Sequence, residues 1–336
     1  MKRLICALLA AALLCLSGCG AAEQPEQLSL FAMDTYMTLA AYGDKAQEAL
    51  SACGQELNRL EQQLSRTRED SPVSQLNRGG SARVSDETME LLTAALTYSD
   101  LTGGAFDMTI APLVGLWNIT GEEPYLPRQA EIDALLPLVG AEHVHLDGDT
   151  VTLDTGCAID LGGIAKGYAS DRMAAIFAEY GVDSALVSLG GNVYARGTKP
   201  GGQAWTVAIQ HPENGGYAAA LTLTDAFAVT SGGYQRYFTG PDGTVYQHIL
   251  DPKTGWPVQG DLLSVTIVAD SGTLADAYST ALYVMGAEAA QAFWRQEGGF
   301  DMVLITTDGR LLYTPGLADI LTEVKDSGYA YACVPA

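Results

Sequence analysis

Basic residues are scarce in this 336-residue chain: 18 Lys and Arg stand against 40 Asp and Glu, a formal charge of −22. No Lys/Arg cluster appears, and a protein that tracks phosphates along a nucleic acid needs a basic stripe, so that class is excluded. Cysteine is sparse too, at six residues with no C-x-x-C pair, which leaves neither a disulfide framework nor a thiolate zinc site. There is no H-E-x-x-H, no G-x-S-x-G, no Walker A and no G-x-G-x-x-G after a strand, and several large enzyme classes lose support with them. A polyanionic small molecule bound here would have to be neutralised by a metal ion or by backbone N–H groups.

What is present is a globular composition: 48% hydrophobic, 17% charged, 8% aromatic, 37 Gly and 13 Pro. The length suits one large domain or two fused lobes. The chain opens Met1-Lys2-Arg3, then an apolar run over 4–16, then Ser17-Gly18-Cys19. That order marks a secretory signal. The run falls short of the roughly 20 apolar residues that span a bilayer. Leu16-Ser17-Gly18-Cys19 also resembles a bacterial lipobox, which predicts lipidation of Cys19 after cleavage; an ordinary cleaved signal is the alternative. Cleavage removes Lys2 and Arg3 and leaves 16 basic residues against 40 acidic, a charge of −24. The expected organisation is a signal over 1–18, a lipidated tether over 19–27 and one domain over 28–336. Several acyl chains on Cys19 would anchor the protein to a membrane, at about 0.8 kcal/mol per buried methylene.

Residues 28–42 alternate and read as one strand. Asp44 then caps a helix whose inner face carries Ala46, Ala49, Leu50, Cys53, Leu57, Leu60 and Leu64. A second helix starts at Ser85/Asp86 and stops at Gly103-Gly104, and a third opens at Pro127 and ends near Gly140. Asp147-Gly148, Asp242-Gly243 and Asp308-Gly309 each sit between strand-like runs as hairpin turns. Further helices are expected over 164–180, closed by Gly181, and after Thr273. Hairpins interleaved with helices predict an α+β fold with antiparallel sheets.

Polar residues concentrate in five segments: Met33-Asp34-Thr35; residues 103–109; residues 160–167; Ser231-Gly232-Gly233-Tyr234 with residues 248–255; and residues 275–280. Asp276 and Thr280 are one helical turn apart, so a carboxylate and a hydroxyl share a face and offer hard oxygens to Mg²⁺. A dipole-complementing acid and a back-bonded hydroxyl are the structural alternative. Asp160-Leu161-Gly162-Gly163 reads as a strand end entering a helix, with glycines that let the backbone approach a ligand. Lys166 falls in the first helical turn, where the dipole disfavours a cation; it either serves a ligand or is a solvated lysine. His248, on a strand ending at Asp251-Pro252, could act as general base toward a hydroxyl, or be structural. Gly103-Gly104-Ala105-Phe106-Asp107 sets an aromatic and an acid after a flexible loop, which suits a flat heterocycle and equally a packed turn.

Taken in order, these segments resemble the ApbE family of FAD:protein FMN transferases over residues 31–286. The most specific parts are 160–171, Ser188-Leu189-Gly190-Gly191-Asn192, 248–255 and 275–280; the lipobox also fits. The resemblance implies an α+β fold with β-rich lobes flanking a flavin cleft. It further implies Mg²⁺-dependent transfer (Mn²⁺ is possible) of FMN from FAD to a Thr or Ser hydroxyl of another protein, with release of AMP. Carried over position by position, the Gly163 carbonyl, Asp276 and Thr280 would hold Mg²⁺. Met33, Ala105, Phe106, Asp107, Asp160, Lys166 and Leu250 would contact FAD, and His248 would activate the acceptor hydroxyl. One departure stands out: after Leu64-Ser65-Arg66, where many relatives carry an aromatic, this chain has Thr67, which leaves Tyr36, Phe106 or Tyr234 for stacking. Two other outcomes remain open, an FAD pyrophosphatase giving FMN and AMP, and a non-catalytic FAD-binding lipoprotein. No flavinylation sequence of the type Asp/Ser-Gly-x-Thr/Ser-small-Thr occurs in the chain, so the acceptor is expected to be another polypeptide.

Overall fold

The computed structural model describes residues 24–241 and 243–335. The expected signal and Cys19 lie outside the described residues. In chain order the first elements are β1 (Glu26–Ala32), β2 (Thr35–Ala41), α1 (Ala46–Leu64), α2 (Pro72–Gly79), β3 (Ser81–Arg83), α3 (Asp86–Leu101), α4 (Ala111–Trp117) and α5 (Gln129–Leu135). Next come β4 (Val144–Asp147), β5 (Thr150–Leu153), α6 (Ala165–Glu179), β6 (Ala185–Leu189), β7 (Asn192–Arg196), β8 (Trp205–Gln210), β9 (Tyr217–Leu223) and β10 (Ala226–Gly232). The chain closes with β11 (Tyr237–Thr239), β12 (Val245–Gln247), β13 (Leu262–Ala269), α7 (Gly272–Met285), α8 (Ala287–Glu297), β14 (Asp301–Thr306), β15 (Arg310–Tyr313), β16 (Leu321–Glu323) and β17 (Ala330–Cys333).

A nine-stranded sheet, ordered β1-β2-β6-β7-β10-β13-β14-β15-β17, organises the molecule. Its pairs are antiparallel except β15 with β17, so the expected α+β class holds. The central strands are covered on both faces. Val265, Ile267, Met302 and Leu304 face the α7–α8 side, while Val268, Val303 and Ile305 face the small sheet β16-β9-β8. Such strands read as continuous apolar runs because neither face meets water. The outer face at the β1–β2 end is different: Ser29, Phe31, Tyr36 and Thr38 are exposed there. A third sheet, β3-β5-β4, stands apart from these.

Three expectations change. The single strand over 28–42 is a hairpin, because Met33 and Asp34 take left-handed φ values of 48° and 60° and reverse the chain in two residues. The strand begins at Glu26, paired with Ala41, inside the stretch expected as tether. The α1 helix buries the seven residues expected on its inner face, yet Asp44 does not cap it; Lys45 is the N-cap residue and its side chain makes no capping bond. Helices α2, α4 and α8 had no sequence expectation. The first is capped by Ser71, whose Oγ accepts the Ser74 N–H at 2.9 Å, with Pro72 following.

The α4–α5 region carries its own apolar cluster of Leu113, Trp117, Ile132, Tyr246 and Leu250. Trp117 Nε1 donates to the Gly255 carbonyl at 2.8 Å, which fastens the loop after β12 to this cluster. That loop begins with His248.

Candidate active site

Two glycines let α6 and α7 cross in close contact. A Cβ added at Gly167 would come within 2.2 Å of the Gly272 carbonyl oxygen, and one at Gly272 within 2.6 Å of the Gly167 oxygen. Asp171 fixes the crossing from α6. Its carboxylate accepts the N–H groups of Gly272 at 2.7 Å and Thr273 at 2.9 Å, plus the Ser271 hydroxyl at 3.2 Å and the Thr273 hydroxyl, and so occupies the α7 N-terminus. The crossing brings Asp276 against α6, where its Oδ2 accepts the Gly167 N–H at 2.8 Å.

Asp276 is 3% exposed. Burial pushes its carboxyl pKa up, against the Lys166 charge and the N–H groups of Gly167 and Lys166. The residue is not in the first turn of α7, which has no acid, so a dipole-complementing role does not account for it. Nor is Thr280 bonded back to residue 276: the Ser279 hydroxyl donates to that carbonyl at 2.9 Å, while Thr280 Oγ1 lies 3.4 Å from Ser231 Oγ. Gly163 reaches the same place from the loop before α6. A Cβ there would meet the Phe106 ring at 3.3 Å and Thr280 Oγ1 at 3.4 Å. Gly163 therefore lies against Thr280, one helical turn along α7 from Asp276, beside the buried Phe106 ring.

The approach to Gly163 is not a strand end. Strand β5 stops at Leu153, and Asn77 brackets the following loop by donating to the Ile159 carbonyl and accepting its N–H, both at 2.8 Å. Asp160 then turns the chain: its Oδ1 accepts the Gly162 N–H at 2.8 Å and its Oδ2 pairs with Arg66 Nε at 2.6 Å. Side-chain bonding of this kind favours turns over ladders, which explains the departure from the expected strand. Lys166, in the first turn of α6, folds back and donates to the Gly162 carbonyl at 3.0 Å. Ala105 and Phe106 are buried. Asp107 is buried too, and its Oδ1 accepts the Thr109 N–H at 2.8 Å and hydroxyl at 2.6 Å; burial moves its pKa up.

His248 comes from the other side. Strand β12 ends at Gln247, one residue earlier than a strand carrying His248 requires, and Leu250 keeps only an isolated bridge to Pro257. The reason is the Asp251 turn, whose Oδ1 accepts the Lys253 N–H at 2.9 Å. The Arg236 carbonyl accepts the His248 backbone N–H at 3.0 Å and lies 3.2 Å from Nδ1. A carbonyl can only accept, so Nδ1 carries the proton and Nε2 keeps a free lone pair. Burial, aided by the Arg236 and Lys166 charges, pushes the imidazole down to about 4, so it is neutral at pH 7. Lys166 also acts on Asp276, which places His248 and Asp276 within reach of one ammonium.

Met33 belongs to this side. Its N–H donates to Glu61 at 3.2 Å, and its neighbour Asp34 pairs through Oδ2 with Arg236 Nη1 at 2.8 Å. Thr67 bonds locally, its hydroxyl 3.1 Å from Ser65 Oγ. Of the aromatics left for stacking, Phe106 touches the Gly163 region, Tyr234 is half-buried, and Tyr36 is 63% exposed on the outer hairpin face. Asn192 is fully buried and accepts the Ser170 hydroxyl at 2.9 Å, a packing link between β7 and α6. Residues that sequence reasoning missed are Arg66, Asp171, Arg236 and Trp117. Each acts through a long-range contact; only Arg66 and Asp171 lay in stretches already singled out.

Among the described residues no group of three or more His, Cys, Asp or Glu is placed to hold a metal ion. The oxygens at Gly163, Asp276 and Thr280 are a different donor set: one carboxylate, one hydroxyl and one carbonyl.

The model of the ApbE family matches residues 33–304. An FAD:protein FMN transferase of Treponema pallidum is 37% identical over 284 residues, covering 78% of each chain. Its Escherichia coli counterpart is 33% identical over 270 residues, covering 76% of this chain and 75% of its own. Among solved structures, the ApbE protein of Thermotoga maritima superposes with a TM-score of 0.83 at 33% identity, over 88% of this chain and 99% of that one. The flavin transferase ApbE of Vibrio cholerae gives 0.78 at 28% identity, again over 88% and 99%.

Proposed function

The chain belongs to the ApbE family, and from that premise we propose that it moves the FMN portion of FAD onto a hydroxyl of an acceptor protein and releases AMP. The acceptor oxygen attacks the flavin-side phosphorus. The bond from that phosphorus to the bridging oxygen breaks, and the oxygen leaves with AMP. His248 takes the hydroxyl proton on Nε2, since Nδ1 is committed to the Arg236 carbonyl. Ala105 and Phe106 form a buried wall that keeps water from competing as nucleophile. Met33, Asp107, Asp160, Lys166 and Leu250 complete the FAD contacts in this reading.

The observation that carries the reading is the buried Asp276 carboxylate. Among the described residues it makes no ion pair, and the nearby Lys166 ammonium donates instead to the Gly162 carbonyl. An ionised acid in such a place wants a cation. Its oxygen neighbours suit Mg²⁺, which takes one or two carboxylates and leaves other positions to water and phosphate. The Gly163 carbonyl, Asp276 and Thr280 would hold it. When bound, the ion neutralises charge building on the diphosphate oxygens. In a chain of −22 this matters, because among the described residues near the site Lys166 is the cation without a carboxylate partner.

The acceptor is taken to carry an Asp/Ser-Gly-x-Thr/Ser-small-Thr segment. Residues 1–18 serve as signal, Cys19 as lipid anchor, and the catalytic domain works on the extracytoplasmic face of the cell membrane. No described helix is long and apolar enough to cross a membrane. Incubation with FAD, Mg²⁺ and a candidate acceptor tests the reading: a flavin band that stays on the acceptor after denaturation supports it. Free FMN without that band makes the protein a pyrophosphatase, and unchanged FAD makes it a binder.

A further inference from the structure

Four of the seven large apolar side chains exposed among the described residues lie on two hairpins, of which the second leads into His248: Phe31 and Tyr36 on β1–β2, Tyr237 and Val245 on β11–β12. Phe31 and Tyr36 are cross-strand partners one step from the Met33-Asp34 turn, 69% and 63% exposed. Tyr237, 54% exposed, follows Arg236 directly. Asp34 and Arg236 join the hairpins through the 2.8 Å ion pair and a second bond from Arg236 Nη2 to the Asp34 carbonyl. The same Arg236 holds His248 by its own carbonyl. An exposed ion pair contributes little to stability, at about 0–1 kcal/mol, and exposed aromatics are enriched on surfaces that dock a protein.

We propose that these two hairpin tips are the docking surface for the acceptor polypeptide. The inference rests on the transferase reading and names the partner's landing place. The acceptor hydroxyl must arrive at His248 Nε2; the second hairpin leads into that histidine and Arg236 ties the first hairpin to it, while the residues assigned to the diphosphate are Gly163, Asp276 and Thr280. Strand β1 is the end strand of the nine-stranded sheet and pairs only with β2 among the described residues, so its backbone can add an extended segment. Arg236 is held to Asp34 through both Nη atoms, so its role at the tips is to fix the two hairpins together, and the contact with the acceptor falls to the exposed Phe31, Tyr36 and Tyr237 rings and the open β1 edge.

The test uses a soluble carrier protein bearing Asp-Gly-Ala-Thr-Ala-Thr in a flexible extension, and the double variant Phe31→Ser/Tyr237→Ser. The KM for the carrier should rise about tenfold or more, with kcat within about twofold. FAD affinity, read by quenching of flavin fluorescence, should match the wild type, and Phe31→Tyr/Tyr237→Phe should restore the KM. An unchanged KM, with the wild type still labelling the carrier, overturns the docking surface and leaves the transferase intact. So does an unchanged KM accompanied by altered binding to lipid vesicles or an altered sedimentation coefficient, which would assign the patch to a membrane or to a second copy. A wild type that forms free FMN and never labels the carrier overturns the transferase reading and the docking surface with it.

Discussion

Replacing Asp276 with Asn separates the metal reading from a purely structural role. The side chain is buried and nearly isosteric with Asn, and the amide oxygen can still accept the Gly167 N–H that Oδ2 accepts at 2.8 Å. Packing and the α6–α7 crossing therefore survive, while the charge is lost. Without metal the variant should be at least as stable as the wild type, because an ionised carboxylate with no cationic partner costs energy when buried. With metal the two should part. A ligand that binds only the folded chain adds about 2.7 kcal/mol at one hundred times its Kd. At about 2 °C per kcal/mol for a chain of this size, Mg²⁺ should raise the wild-type Tm by about 5 °C. Asp276→Asn should show almost none of that rise, and its FMN transfer should fall below detection. Thermal unfolding followed across a Mg²⁺ titration gives the answer. If the variant's Tm climbs with the wild-type half-saturation, the metal is not seated by Asp276 and the reasoning fails.

His248→Ala should slow transfer by about 10²–10⁴ and leave FAD affinity little changed; equal losses in both would give His248 a binding role. The neutral imidazole is the base, so activity that depends on it persists above its depressed pKa and disappears as pH falls through about 4, and kcat/KM for the free enzyme should show no acid limb near 6.5. Asp171→Ala removes four charge-assisted bonds at the α7 N-terminus and should cost about 2 kcal/mol in urea unfolding. A loss under half of that would mean the cap is replaced by water. Gly167→Ala sets a methyl 2.2 Å from the Gly272 oxygen and should destabilise by about 1–3 kcal/mol while lowering apparent Mg²⁺ affinity, measured by the same titration.

Periodicity was readable where one element decides it: the inner face of α1 and the helical spacing of Asp276 and Thr280 need only a 3.6-residue repeat. The break at Met33-Asp34 was not, because neither residue is glycine and the alternation runs straight through the turn; only the left-handed φ values reveal it. The strand expected before Gly163 failed for a related reason. Asn77 and Asp160 satisfy the backbone there with side-chain bonds from a distance of 82 residues in one case, which no local pattern encodes. The partners of the site residues were equally hidden. Arg66 finds Asp160, Arg236 finds Asp34 and His248, and Trp117 finds Gly255 only once the sheet and the α4–α5 cluster are assembled.

Counting AMP released against flavin covalently held by the carrier most directly tests whether one hydroxyl nucleophile, deprotonated by His248, cleaves the FAD diphosphate. One AMP should form for each flavin attached, with the flavin on a Thr oxygen by mass spectrometry of the digested carrier. AMP in excess, matched by free FMN, would contradict it, because water and not the acceptor would then be the nucleophile this site selects.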